Sequence, residues 1–362
     1  MVNWQSAVEK MVNNFWQNKK VFLTGHTGFK GSWASLWLLK SGAKLTGYSL
    51  GLPTTPSLFD ELKISKEMNS IFGDVRDAEK LKKSVVDANP DIVIHMAAQP
   101  LVRHSYKDPV ETYMTNVMGT VHLFEAVRSS SSVKAVVNVT SDKCYENVER
   151  IDGYKEHESM GGHDPYSNSK GCSELVTASY RKSFFEKLNI GLASGRAGNV
   201  IGGGDWADDR LVPDIIKSVE LSKVLNIRNP RATRPWQHVL EPVSGYLCLA
   251  EKLYMQGQKF AEGFNFGPSK NDHADVESII LKMNSIWNNK IKYQIEPVSD
   301  KNPHEANLLS LNCDKARDIL KWQPKWNLDQ ALKNTIDWNQ RRWDGDSARK
   351  ICEDQINQYE KS

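Results

Sequence analysis

Three residues in a row, Ser141-Asp142-Lys143, are followed 23 positions after Lys143 by Tyr166-Ser-Asn-Ser-Lys170. Tyr166 and Lys170 stand four apart and so share one face of a helix. A lysine ammonium beside a phenol stabilises phenolate and pulls the phenol down from ~10, which makes Tyr166 a base. The same lysine is suited to hold the ribose of a nicotinamide cofactor. Simple hydride transfer needs no more than this pair and a hydroxyl such as Ser141. Asp142 and Lys143 add an acid and a second ionisable group, as a further bond-breaking step would require. Tyr-x-x-x-Lys alone is common on surface helices, so its weight comes from what surrounds it.

The strongest surrounding signal is Thr24-Gly25-His26-Thr27-Gly28-Phe29-Lys30-Gly31. It follows a strand-like Val21-Phe-Leu-Thr and opens a helix, the context that makes a glycine pattern a dinucleotide loop. Gly25 permits the tight turn, Gly28 lets backbone N–H groups approach a pyrophosphate, and Gly31 lets helix pack on strand. Thr27, Phe29 and Lys30 share the loop; His26 and Lys30 face either phosphate or solvent. An acid is expected about 20 residues on for the adenosine ribose. The second strand instead ends Tyr48-Ser49-Leu50, with no acid and no arginine for a 2′-phosphate. That leaves NAD over NADP by default, and a modest NAD affinity is expected. Gly73-Asp74-Val75 suits either adenine contact, with Asp74 accepting from the exocyclic amine, or a plain turn at a strand end.

The elements that must position these residues alternate from Lys20 onwards. Strands are expected at Val21–Thr24, Ala43–Ser49, Asp91–Ala97, Val133–Val139 and Ile190–Arg196, and helices at Ser32–Ser41, Glu111–Arg128 and Tyr166–Leu188. The fold class is therefore α/β, a Rossmann-type doubly wound parallel sheet with a smaller C-terminal substrate-binding lobe. The expected divisions are an extension over 1–19, a cofactor domain over 20–200, and a substrate lobe with C-terminal helices over 201–362, some of whose strands return to the sheet.

The 362 residues suffice for a large core. With 47 basic and 44 acidic residues interspersed, the charge of +3 gives no case for nucleic acid or anionic membrane. No apolar stretch approaches the ~20 residues that span a bilayer, and the start does not read as a secretory signal. The five scattered cysteines form no metal-ligating pattern, so no metal is expected and reduced thiols in a cytoplasmic protein are.

The glycine loop, Gly73-Asp74, Ala97-Ala98-Gln99, Asn116, Ser141, Tyr166/Lys170 and the strand end Arg196–Asn199 are spaced so that the chain resembles the extended short-chain dehydrogenase/reductases. Within these it is similar to the nucleotide-sugar 4,6-dehydratases over nearly its whole length. The runs Gly25-His-Thr-Gly-Phe-Lys-Gly-Ser-Trp33, Ser141-Asp-Lys-Cys-Tyr145 and Arg231-Ala-Thr-Arg-Pro-Trp-Gln-His238 resemble the branch acting on CDP-glucose. Choice of cytosine rests on that resemblance alone.

The resemblance implies NAD held by Gly25, Thr27, Gly28, Phe29, Lys30, Gly31, Asp74, Val75, Ala97, Ala98, Gln99, Asn116, Tyr166 and Lys170. It implies a redox-neutral sequence: Tyr166 removes the O4 proton with Ser141 on the same oxygen, C4 is oxidised, the C5 proton is abstracted, water leaves from C6 and the hydride returns there. Asp142 is the expected acid, with a pKa raised by burial. Where most relatives have Asp-Glu, this chain has Asp142-Lys143. Lys143 therefore takes the place of the glutamate base and must be neutral to act, or else it stabilises the enolate or pairs with Asp142. Arg234, Asn199, Arg210 and His238 are expected against the diphosphate, and Gln99 with His104-Ser105 either lines the hexose site or is ordinary loop. The apolar stripes of Glu111–Arg128 and Tyr166–Leu188 are buried either within the chain or, as the family implies, in a homodimer. A role in bacterial O-antigen synthesis follows from family. The rivals are a nucleotide-sugar 4-epimerase, which has no need of Asp142 and Lys143, and a nucleotide sensor, which has no reason to keep Ser141, Tyr166 and Lys170.

Overall fold

The computed structural model describes residues 15–269, 272–296 and 308–362. Of the extension expected over 1–19, residues 1–14 lie outside the described residues. Seven strands, β1 (Lys20–Thr24), β2 (Lys44–Ser49), β3 (Asn69–Phe72), β4 (Ile92–His95), β5 (Ala135–Val139), β6 (Gly191–Ala197) and β7 (Gly263–Phe266), form one sheet. Their order is β7-β6-β5-β4-β1-β2-β3, and every pair is parallel.

β4 and β5 are buried along their whole length, as central parallel strands covered on both faces must be. Successive residues of a strand point to opposite faces, and the two cores follow that alternation. Val21, Leu23, Ile92 and Ile94 pack on one side with α1 (Phe29–Lys40); Phe22, Val93 and Val136 pack on the other with α2 (Ala78–Ala88) and α3 (Gly119–Arg128). A third cluster, including Ile215, Ile227, Ile280 and Leu332, draws only on residues 201–336.

Three helical segments come from the expected 111–128 region: Pro109–Tyr113, a π-turn over Met114–Met118, and α3. The next long helix is α4 (Pro165–Tyr180), which runs into a π-turn over Arg181–Phe185. Asp164 fixes its start by accepting from the Ser167 N–H at 2.9 Å, with Pro165 at the first position. The start sets Tyr166 in the first turn and Lys170 one turn on. Late in the chain, α5 (Leu240–Gln256) backs β5 and β6, and α6 (Leu328–Trp343) and α7 (Ala348–Lys361) close the fold beside α1. The strand order reverses at β1, between β2 and β4, which leaves a crevice at the carboxyl ends of the strands.

Candidate active site

The chain leaves β1 at Thr24 and turns at Gly25, whose φ is +75°. A Cβ at Gly25 would lie 2.7 Å from Ala97 N, and one at Gly31 would lie 2.0 Å from Gly25 O. Both positions therefore need glycine, one for backbone conformation and one for helix-to-loop contact. The N-cap of α1 is Gly28, with no side-chain cap and no acid in the first turn. The first-turn N–H groups and the positive end of the helix dipole are thus directed at a ligand, which fits a pyrophosphate.

Thr27 braces the loop through Oγ1, which donates to Gly51 O at 2.5 Å. His26 points inward, its ring nitrogens 2.9 Å from Ser49 Oγ and 2.8 Å from Ser70 Oγ, and burial lowers its pKa to about 4. It is a neutral brace that cannot counter phosphate charge. No carboxylate stands at the end of β2. Asp74 is already held by Arg76, with Nη2 at 2.6 Å and Nε at 2.8 Å from Oδ2. Burial opposes ionisation of Asp74, but the hydrogen bonds and charge of Arg76 outweigh it and hold the carboxyl below its ordinary value. An adenine amine would have to share that carboxylate. Val75, expected at the cofactor, is a core residue 5% exposed, its carbonyl 3.0 Å from His122 Nδ1.

Ala97, Ala98 and Gln99 follow β4. The Ala97 N–H donates to Thr24 Oγ1 at 3.1 Å. Asn116, in the π-turn before α3, accepts from Gln99 N–H at 2.8 Å and donates to Gln99 O at 3.0 Å and Ser169 Oγ at 2.9 Å. It ties the β4 loop to the Tyr166/Lys170 helix. The Gln99 amide donates to Thr112 Oγ1 at 2.9 Å and accepts from Leu101 N–H at 2.6 Å, so both of its ends have protein partners. Ser105, also expected at the substrate, is fully buried and donates to Val102 O at 2.7 Å. Its hydroxyl is spent within its own helical turn.

At the end of β5, Ser141 Oγ donates to Asp142 Oδ1 at 2.9 Å and accepts from Lys143 N–H at 3.2 Å. Asp142 is 2% exposed, and its Oδ2 is buried with no partner among the described residues. Burial raises its pKa against the pull of Lys143, Ser141 and Arg234. A carboxyl whose pKa is raised by burial is a better proton donor than one in water. Lys143 is half-buried beside it.

Tyr166 and Lys170 are both buried. Burial raises the phenol to about 12; a hydrogen bond with Ser141 and the charge of Arg210 lower it, and Asp142 raises it. Lys170 falls to about 7, first through burial and then through Lys30. Lys30 itself falls to about 8 through burial and Arg210, with Asp142 and Asp205 opposing. Arg210, rather than Lys170, is the cation whose charge lowers the phenol.

Sequence reading alone does not single out the support beneath the site. Glu174, one turn beyond Lys170, pairs with Arg196 of β6 at 2.7 Å and accepts from Thr140 Oγ1 at 2.5 Å and Ser194 Oγ at 2.7 Å. Burial works against the carboxylate, yet Arg196 and these hydrogen bonds hold it below its ordinary value. Arg196 Nη1 also donates to Tyr145 OH at 2.7 Å. The network fixes the chain on both sides of Ser141-Asp142-Lys143. The available signal was a charged residue inside an otherwise apolar strand, which demands a buried partner.

From beyond residue 200, Arg234 is 7% exposed, donates to Thr233 O at 2.9 Å, and its charge reaches Asp142. Arg210 is held by Asp205 at 2.9 Å and its charge reaches both Tyr166 and Lys30. Asn199 is half-buried after β6, its carbonyl accepting from Gln237 N–H at 3.0 Å. His238 is fully buried between Trp33 and Trp326, ring centroids 5.9 and 4.9 Å away, and burial lowers it to about 3. It packs as a neutral ring and offers no charge to a diphosphate, contrary to expectation. Among the described residues no cluster of histidine, cysteine and carboxylate suits a metal ion, and no helix is long and apolar enough to cross a membrane.

Comparison with known proteins gives three kinds of likeness. The family model for GDP-mannose 4,6-dehydratase matches residues 22–335. A CDP-glucose 4,6-dehydratase of Salmonella typhimurium is 54% identical over 344 residues, covering 94% of this chain and 95% of that protein. A dTDP-glucose 4,6-dehydratase of Streptomyces antibioticus is 26% identical over 278 residues, covering 75% and 77%. The crystal structure of dTDP-glucose 4,6-dehydratase from Bacillus anthracis in complex with NAD superposes with a TM-score of 0.74 at 20% identity, covering 91% of this chain and 98% of that one, which shows a shared fold.

Proposed function

The chain belongs to the GDP-mannose 4,6-dehydratase family, within the extended short-chain dehydrogenase/reductases, and from that premise we infer that it is a hydro-lyase converting CDP-glucose to CDP-4-dehydro-6-deoxyglucose with NAD as internal redox carrier. The observation that carries this is the pairing of Ser141, Tyr166 and Lys170 with a buried carboxyl, Asp142, whose pKa burial raises. An epimerase needs the first three and has no use for a proton donor of this kind.

Bound NAD supplies the hydride acceptor at C4 and the donor at C6. Its pyrophosphate fits the open start of α1, with Lys30 near, and its ribose and nicotinamide fit beside Lys170 and Tyr166. Tyr166 takes the O4 proton while Ser141, already hydrogen-bonding near the phenol, shares that oxygen. The 4-ketone acidifies the C5 hydrogen, and Lys143 removes it. Asp142 protonates the C6 hydroxyl as water departs. Arg234 and Arg210 bind the diphosphate, with Asn199 beside them. Guanidinium forks suit this because they meet phosphate oxygens two at a time.

A homodimer is part of this reading. Val110, Met114 and Met118, spaced four apart before α3, are 71%, 39% and 37% exposed, and Leu175 on α4 is 60% exposed. A second copy would cover this apolar strip. A cytoplasmic location and a place in O-antigen synthesis are proposed from the family resemblance. The test is incubation with CDP-, dTDP-, UDP- and GDP-glucose and NAD, followed by absorbance of a 4-keto sugar in alkali. Signal with CDP-glucose is expected. Clean 4-epimerisation, or no product from any of the four, would overturn the reading.

A further inference from the structure

Two arginines from different parts of the chain, one of them just after β4, converge on one carboxylate oxygen. Arg103, in the helical turn Val102–Lys107 after β4, places Nη1 3.5 Å from Asp209 Oδ1. Arg228, just past the strand Val224–Ile227, places Nη2 3.6 Å from the same atom. Both distances exceed the 2.7–3.2 Å of a good N–H···O bond, so the carboxylate attracts the guanidinium groups without seating in either fork. The neighbouring residue, Arg210, is near enough for its charge to lower the pKa of both Tyr166 and Lys30, so Asp209 is one residue from a group coupled to the reaction site.

Asp209 also holds a left-handed backbone, φ +60°, which non-glycine residues rarely adopt. Its side chain is 44% exposed, so water is available to it if it swings away. Asp208 and Asp214 lie close by. Asp214 is raised to about 6, first by burial and then by Asp209. The segment therefore carries acidic crowding that departure of Asp209 would relieve.

We propose that Asp209 is an internal stand-in for the substrate's diphosphate, holding Arg103 and Arg228 together until a nucleotide sugar displaces it. The proposal rests on the nucleotide-sugar reading above and adds two diphosphate ligands and a built-in competitor to it. A diphosphate brings more charge and more acceptor oxygens than one carboxylate, so it outcompetes Asp209 for both guanidinium groups.

Calorimetric titration of the full chain with CDP, and separately with inorganic pyrophosphate, tests it. Asp209→Asn removes the competing charge, and Asp209→Gly also removes the backbone strain. Each is expected to bind both probes about three- to tenfold more tightly at low salt, the worth of two part-exposed ion pairs, with the gain shrinking at high salt. Arg103→Gln and Arg228→Gln are expected to weaken both probes, and in the Arg103→Gln/Arg228→Gln background Asp209→Asn should give no gain. Substrate KM should follow the same pattern with kcat changed far less. Unchanged or weaker binding by both Asp209 variants would overturn the proposal, as would arginine variants that bind like the parent. A chain that binds pyrophosphate with these differences but does not bind CDP would sink the nucleotide reading and leave the counter-ion role standing.

Discussion

Lys30, Lys170, Asp142 and Tyr166 sit together in the crevice, and each is shifted toward its neutral form: the amines to about 8 and about 7, the carboxyl upward, the phenol to about 12. Desolvation is the largest cause in all four. Each group is thereby less charged than it would be in water. Lys143, half-buried beside Asp142, is the base proposed for the C5 proton. Lys143→Met is therefore expected to abolish exchange of the C5 hydrogen with solvent while C4 oxidation survives, as followed by NMR in deuterium oxide together with cofactor absorbance. Retained C5 exchange would remove the base assignment. Asp142→Asn is expected to keep C4 oxidation and slow water loss by about 10²- to 10⁴-fold in single turnovers, the usual worth of a general acid. The residue types and spacings made this chemistry legible in the sequence, because Ser141, Tyr166 and Lys170 are recognisable from strand end and helix face. The charge states were not legible, since they depend on how completely distant segments exclude water.

At the scale of elements, periodicity and punctuation located the first two strands, the central strands and the long helices to within a few residues. β3 and β7 carry weaker patterns: β3 is only partly buried at the sheet edge, and β7 is four residues from far along the chain. Side-chain direction was the other unreadable quantity. Ser105, Gln99 and His238 lie in plausible segments, but the hydroxyl and the amide are hydrogen-bonded within the protein and the imidazole is packed against aromatic rings. The C-terminal helices add a testable device. Glu241 of α5 is fully buried and accepts from Trp326 N–H at 2.8 Å and Tyr359 OH of α7 at 2.6 Å. Burial raises it from 4.5 to about 7, against those hydrogen bonds. Because the folded value is raised, its contribution to stability is fully present below pH 4.5 and is lost as pH climbs through about 7. Melting curves at pH 5 and pH 8 are expected to show the parent losing on the order of 2 kcal/mol more than Glu241→Gln over that interval. Equal losses would show that Glu241 does not carry the pH dependence.

At the scale of the whole molecule, the sheet order brings the glycine loop, the end of β5 and the start of α4 to one crevice, and the chain beyond residue 200 supplies the cationic side. The exposed strip of Val110, Met114, Met118 and Leu175 is the face proposed to be covered by a second copy. Val110→Glu combined with Leu175→Glu is expected to halve the particle mass by light scattering; a parent already at the mass of one chain would rule out the dimer. The central claim is that one bound cofactor moves a hydride within one sugar, from C4 to C6. CDP-glucose carrying deuterium at C4 tests it most directly. A 4-keto-6-deoxy product with that deuterium in its C6 methyl group, and none released, is expected. Deuterium returned to C4 in a sugar that has kept its C6 hydroxyl would contradict it.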